Sequence, residues 1–351
     1  MCGIAGLLAP DAATGSDLAA SVVHAVDALT NRGPDARGQW ADGDAGVALG
    51  HRRLSIIDLS SAAGQPMVSA DGRWTIAFNG EIYNFAELRS ELAGAGVALR
   101  TRSDTEALLE AVARWGVAPA LERCNGMFAL ALWDRAGRCL HLARDRLGQK
   151  PLYYGWAGRR FVFGSQLAAL RRFDGFDTSV DPQALPLLLR LAMIPAPHTI
   201  HPAAWKLPPA AVLTLDAHAV RARRIPEPVA YWSAEAVARA GTAAPLRLSD
   251  AEAIERVDTL LRDAVRHCLV SDVPMGAFLS GGIDSSSVVA AMQAESPAPV
   301  RTYTIGFAES AYSEADDAAA VARHLGTDHT SLLLTAAEAQ SVIPQLPHIY
   351  D

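Results

Sequence analysis

A proline-dense break in the middle of the chain constrains its folding more than any other feature. Between Pro182 and Pro228, residues Pro195, Pro197, Pro202, Pro208 and Pro209 crowd one stretch. A residue with fixed φ and no backbone N–H argues against regular elements there. At 351 residues the chain is long for one domain, so this stretch is expected to close a first domain and lead to a second. Before the break, residues 2–8, 74–78, 128–133, 138–143 and 160–164 are short apolar runs near turn residues, the signature of strands. Residues 17–29 have helical spacing, and Ser103-Asp104-Thr105-Glu106 has the form of a capping box opening a helix that runs to about Arg114. Strands with helices at intervals predict a layered α+β domain. After Leu248 the pattern alternates: helix 250–270, strand 275–279, a Gly-rich turn, helix 286–293, strand 301–307, helix 314–325, strand 329–334. That order predicts part of an open, parallel, doubly wound α/β sheet. The expected boundaries are a first domain at 2–210, a linker at 211–248 and a second domain at 249–351.

Composition narrows the function. Half of the residues are hydrophobic and a fifth are charged, which suits large buried cores. A net charge of −7 without a basic, aromatic-interleaved stripe argues against a nucleic-acid partner. The four cysteines, Cys2, Cys124, Cys139 and Cys268, are scattered, as reduced thiols of a cytoplasmic protein would be. The first 30 residues lack the cationic start and apolar run of a signal peptide. No apolar stretch approaches the ~20 residues that cross a bilayer, so neither a membrane nor a secretory route is expected. The histidines show no metal-ligand spacing, and His51, His198 and His201 read as structural.

Chemistry starts at the second residue. Loss of Met1 would leave Cys2 with both a thiol and a free α-amine. With a reference pKa near ~7.7–8.0, that amine can take the thiol proton without a histidine. The competing reading of Cys2 is a small buried hydrophobe at a strand start. Cys2-Gly3-Ile4-Ala5-Gly6, Arg32-Gly33-Pro34-Asp35, His51–Ile56, Asn79-Gly80-Glu81-Ile82-Tyr83-Asn84 and Ser103–Glu106 follow in order, and Arg144-Asp145 with Gly148–Tyr154 continues the series. Together they resemble the glutaminase domain of class II glutamine amidotransferases, an N-terminal-nucleophile fold of αββα layers. Ile194–Ile200 and Lys206-Leu207-Pro208-Pro209 resemble the asparagine synthetase branch.

The resemblance implies an oxyanion hole made by the Asn79 side-chain amide and the Gly80 N–H; the competing reading of Asn-Gly is a hairpin turn. It implies glutamine contacts from Arg53, Leu54, Ser55, Ile56 and Ile57, from Asn79, Gly80 and Glu81, and from Asp104. Arg53 offers a fork for a carboxylate, and Glu81 and Asp104 are candidates for the substrate ammonium. Against these stand a surface arginine, a solvated charge and an acid favoured by a helix start. Asn31 and Gln166 depart from residues common in the family, His and Glu, at positions expected to be non-catalytic.

Leu279-Ser280-Gly281-Gly282-Ile283-Asp284-Ser285-Ser286 follows a strand and opens a helix, where glycine N–H groups and serine hydroxyls can face an anion. It lacks the Lys of a Walker loop and resembles the SGGxDS loop of ATP pyrophosphatases. The resemblance implies ATP binding by Leu279, Ser280, Gly281, Gly282, Asp284, Ser285, Ser286 and Ile305, with Mg²⁺ to offset pyrophosphate charge and no metal ligand identified. Glutamine, aspartate and ATP are the expected substrates, asparagine the expected product, and a homodimer is kept open as the assembly. Alternatives are another carboxylate acceptor, or a form with glutaminase activity or partner binding alone. The family's later acidic, Gly-rich loop does not occur before Asp351, so the synthetase part is expected to be partial.

Overall fold

A computed structural model describes residues 1–11, 15–308 and 313–351. Two compact units emerge, Met1–Ala243 and Ala244–Asp351.

The first unit is built on two six-stranded antiparallel sheets. One orders β10 (Ala204–Lys206), β8 (Tyr153–Ala157), β9 (Arg160–Gly164), β1 (Gly3–Leu8), β3 (Val47–Arg53) and β2 (Ala36–Asp42). The other orders β12 (Val229–Ala230), β11 (Ala211–Asp216), β7 (Cys139–Arg144), β6 (Gly126–Asp134), β5 (Trp74–Ile82) and β4 (Met67–Val68). Alternating side chains explain the layering. Ile4, Leu8, Val47, Leu49, Phe161 and Phe163 of the first sheet meet Ala129, Trp133, Leu140 and Leu213 of the second in one core. The opposite face of β1, with Ala5 and Leu7, packs on α1 (Gly15–Asp27) through Leu18, Val22 and Val26, and on α5 (Leu167–Leu170). The far face of the second sheet, with Ile76, Phe78 and Leu130, packs on α2 (Phe85–Gly94), α3 (Asp104–Trp115) and α4 (Val117–Arg123). These are the αββα layers of an N-terminal-nucleophile fold. Covering both faces is why β1 is buried at every position.

Two expectations need correction here. The proline-dense stretch carries α6 (Ala184–Leu191) and β10, because its crowded prolines fall between these elements and punctuate them. Residues 211–248 are not a bare linker. β11 is an inner strand paired with β7 from Val212↔Ala143 to Asp216↔Cys139, followed by α7 (Ala217–Arg221), β12 and α8 (Ala234–Ala243).

The second unit holds α9 (Asp250–Cys268), whose start is a true capping box between Ser249 and Glu252. A parallel sheet of β13 (Gly276–Phe278), β14 (Arg301–Phe307) and β15 (Asp328–Leu334) follows, its strands joined by α10 (Ile283–Glu295) and α11 (Ala315–Leu325). Val265 of α9 packs with Ala291 and Met292 of α10. Farther toward its start α9 leaves Ile254, Val257 and Leu260 exposed, although the spacing predicts one apolar face.

One turn of the first unit is held with unusual completeness. Asp145, fully buried, accepts N–H bonds from Phe128 (3.1 Å), Leu147 (3.1 Å), Gln149 (2.9 Å) and Lys150 (3.0 Å). Arg144 donates to the carbonyls of Lys150 and Leu207, each at 2.7 Å, and to that of Gly148. Asp145→Ala leaves four donors without this acceptor, and unfolding in urea should show the first unit destabilised by about 3 kcal/mol or more.

Candidate active site

The site grows from the way β1 starts and β5 ends. β1 pairs with β3 from Gly3↔Arg52 onward, which brings the residue before it, Cys2, to Leu54. Leu54 N–H lies 3.4 Å from Cys2 Sγ, and the thiol faces Leu54 O at 3.6 Å. Arg32 Nε donates to Cys2 O at 3.0 Å, and Asp35 accepts from Ser55 N–H at 2.7 Å. Between these two, Gly33 passes so near β3 that a Cβ would stand 2.4 Å from Arg52 O. Arg-Gly-Pro-Asp thus works as a clasp around the Cys2 end of the sheet.

Asn79 and Gly80 lie inside β5, paired as Asn79↔Ala129 and Gly80↔Phe128, so the hairpin reading of Asn-Gly falls. Only glycine fits, because a Cβ at Gly80 would meet Met127 O at 2.3 Å. In an antiparallel ladder, alternate residues turn their polar groups away from a given neighbour. Phe128 spends its N–H and C=O on Asp145, so Gly80 faces the other edge, together with Phe78 and Ile82. Among the described residues no strand covers that edge at these positions, since β4 reaches only Ile76. Gln65 Oε1 accepts from Phe78 N–H at 2.7 Å, and Asp104 Oδ2 accepts from Ile82 N–H at 3.0 Å. Gly80 N–H, between them, has no acceptor among the described residues. The Asn79 side chain is 1% exposed, and neither its Nδ2 nor its Oδ1 has a hydrogen-bond partner among the described residues. Such a group costs about 1–3 kcal/mol. An amide and an N–H at adjacent positions, without partners among the described residues, can receive a ligand or water oxygen.

One cavity is lined by Cys2, Arg53, Leu54, Ile56, Ile57, Asn79, Gly80, Glu81 and Asp104. Ser55 is not part of its wall; its N–H serves Asp35. Sequence reasoning did not single out Gln65, Met127 or Lys150, which also line the cavity. Lys150 had a signal, its place in the Gly148–Tyr154 motif. Arg53 is buried, and its guanidinium donates to the carbonyls of Ser60 (2.9 Å) and Asp58, which pins the 57–60 turn against the cavity. Asp104 is the first residue of α3, and its carboxylate also accepts from Thr105 N–H at 2.8 Å. The expected capping box is absent. Ser103 caps through Thr105 N–H, while Glu106 turns to the Arg100 and Thr101 N–H groups at 2.9 and 2.6 Å.

Burial pushes the Cys2 thiol above its ordinary pKa, with the Leu54 hydrogen bond and the terminal amine working the other way. Burial lowers the terminal amine of Met1. Burial raises Asp104, and Glu81 is raised by burial and then by Asp104. A thiol that keeps its proton needs a base, and two carboxyls pushed upward together suit a cationic guest.

In the second unit, Gly281 has φ +81°, and a Cβ there would stand 2.8 Å from Asp317 Cβ. Ser280 and Ser285 hydroxyls meet at 3.0 Å, and Ser285 donates to Gly282 O. Ser286 Oγ is buried without a partner among the described residues, and Asp284 is exposed. Leu279 is 1% exposed in the core, with its N–H on Tyr303 O and its carbonyl taken by Thr304. It can shape the loop but offers no free side chain to a nucleotide. Ile305 stands on the exposed face of β14.

Comparison with known proteins gives two family matches, a glutamine amidotransferase domain over residues 1–229 and asparagine synthase over 256–351. Asparagine synthetase [glutamine-hydrolyzing] 1 of Bacillus subtilis is 33% identical, aligned over 92% of this chain and 48% of its own. A Methanocaldococcus jannaschii protein named for the same activity is 31% identical over all of this chain and 68% of its own. The chain spans about half the length of most of the curated relatives it matches. A solved allosteric regulatory enzyme of purine biosynthesis is 14% identical with a TM-score of 0.49, covering 95% of this chain and 80% of that one. No helix among the described residues is long and apolar enough to cross a membrane.

Because the Asn79 amide makes no hydrogen bond among the described residues, Asn79→Ala should leave the urea midpoint unchanged or slightly raised. His51, buried at 1% exposure, donates from Nε2 to Phe78 O at 3.0 Å, and burial lowers its pKa from 6.5 to about 4. The unfolded chain therefore takes up that proton first, and stability present above pH 6.5 declines as pH falls toward about 4. His51→Gln should flatten this decline in urea titrations across that window.

Proposed function

The chain belongs to the glutamine-hydrolysing asparagine synthetase family, with a glutamine amidotransferase domain as its first part, and on that footing we propose that Cys2 is a glutaminase nucleophile. The observation that carries the proposal is the pairing of the unspent Gly80 N–H and Asn79 amide with the Cys2 thiol in one cavity. After loss of Met1, the Cys2 α-amine accepts the thiol proton as Sγ attacks the side-chain carbonyl carbon of glutamine. Gly80 N–H and Asn79 Nδ2 receive the charge that develops on the carbonyl oxygen. The amine then passes its proton to the departing nitrogen, and ammonia leaves. Water cleaves the thioester and releases glutamate. Arg53 supplies positive charge for the substrate carboxylate, and Asp104 with Glu81 accept its ammonium, whose arrival stabilises their ionised forms.

In the second unit the Ser280–Ser286 turn is the proposed cradle for the pyrophosphate of ATP, with aspartate as the carboxylate to be adenylated and then amidated by the ammonia. The donor set for Mg²⁺ is incomplete, since the described residues gather no group of three His, Cys, Asp or Glu side chains. Asp284 stands in the turn and Asp317 packs against its Gly281, so the metal would depend on nucleotide oxygens for most of its shell.

Purified chain with Met1 removed should release glutamate from glutamine, and Cys2→Ala should abolish that release. Asn79→Ala should lower kcat by about 10²–10³ without loss of fold. Aspartate-dependent exchange of pyrophosphate into ATP tests the second unit; glutamate release without such exchange would confine the proposal to the first.

A further inference from the structure

Lys150 is a cation with little to hold. It is 4% exposed, it lines the cavity, and the partner of its Nζ is the thioether of Met1 at 2.9 Å, a weak acceptor. Its backbone is fixed on both sides, with the N–H on buried Asp145 and the carbonyl on Arg144. The turn therefore holds one positive charge against the start of the chain. Loss of Met1 removes the thioether and creates the Cys2 α-amine in the same cavity that Lys150 lines.

We propose that Lys150 is a positioning residue whose fixed charge keeps the Cys2 α-amine in its neutral, proton-accepting form. The proposal rests on the glutaminase reading of Cys2. The charged groups acting on Lys150 are Glu81, Asp145 and the Cys2 thiol, of opposite sign, and Arg32, of like sign. Arg53 and Asp104 act on the thiol from the other walls. Asp145 is consumed by four N–H groups, and burial and Asp104 raise the Glu81 carboxyl, while Arg32 and Lys150 bring positive charge to the amine against the Cys2 thiol and Glu81. In the chain that retains Met1, its amine already lies below the ordinary value, through burial first and then through Arg32 and Lys150, against the opposing pull of the Cys2 thiol and Glu81. A lysine supplies this charge from a side chain whose own pKa burial lowers, an effect Glu81 opposes.

The test uses the full chain with Met1 removal verified by mass, as wild type, Lys150→Met and Lys150→Arg. The pH dependence of acetylation at the N-terminal amine, read by mass spectrometry, should shift upward by about 0.5–1 unit in Lys150→Met and stay in place in Lys150→Arg. The acid limb of kcat/KM for glutamine should move with it, while KM at the optimum holds. An unmoved amine titration in Lys150→Met overturns the proposal, as does a raised KM with an unmoved acid limb, which would make Lys150 a substrate contact. Lys150→Gln replaces Lys150→Met should the latter fail to fold. Wild type that titrates as expected but releases no glutamate would instead sink the glutaminase reading.

Discussion

Everything in the first unit turns on one uncovered stretch of strand edge. Beyond Ile76, β5 has no strand neighbour among the described residues on the side opposite β6, and three N–H groups at alternate positions would be left to water or to chance. The protein closes two of them with side chains from elsewhere, Gln65 on Phe78 and Asp104 on Ile82. It leaves the third, at Gly80, open. An uncovered edge is ordinarily a liability. Here the αββα packing shields it, and a single unspent donor faces a small cavity in place of bulk solvent.

The surrounding core makes that arrangement affordable. Two polar atoms of Asn79 without partners work against folding. Full burial of residues such as Phe78, Phe128, Phe161 and Phe163 contributes roughly 1.5–3 kcal/mol each, enough to offset it several times over. The polar holds around the cavity are arranged to the same end. His51 and Gln65 grip the backbone of Phe78, Arg53 grips the 57–60 turn, and Asp145 with Arg144 grip the turn before Lys150. The groups that face the cavity are thereby fixed by groups that do not.

The strands and helices most legible in the sequence were those whose local pattern and tertiary place agree. β14 runs over residues 301–307, the bounds expected for it, and α9 starts at a genuine capping box. β5 is longer than its apolar run suggests, because Asn79-Gly80 carries turn chemistry that pairing with β6 overrides. The Ser103–Glu106 pattern satisfies the capping motif in letters, yet the Glu106 carboxylate finds a better use on the preceding loop. β11 escaped notice because flanking prolines suggest a connector, while its alternating burial becomes visible only against β7. Within the site, Cys2, Asn79, Gly80 and Asp104 were readable from motif spacing. Gln65 lies in no motif and Lys150 only within one, with no role assigned, since their importance lies in what the fold brings beside them.

The placement of β1 also sets a clock. Its second neighbour, β9, lies more than 150 positions later in the chain, so the sheet cannot close around the first strand until that segment has left the ribosome. At about 5–20 residues per second, the amino terminus stays accessible for on the order of ten seconds. An aminopeptidase has that interval to excise Met1 before its amine becomes half-buried and its side chain settles onto Lys150. A tag fused ahead of Cys2 would miss the interval altogether and yield a folded protein with a capped nucleophile.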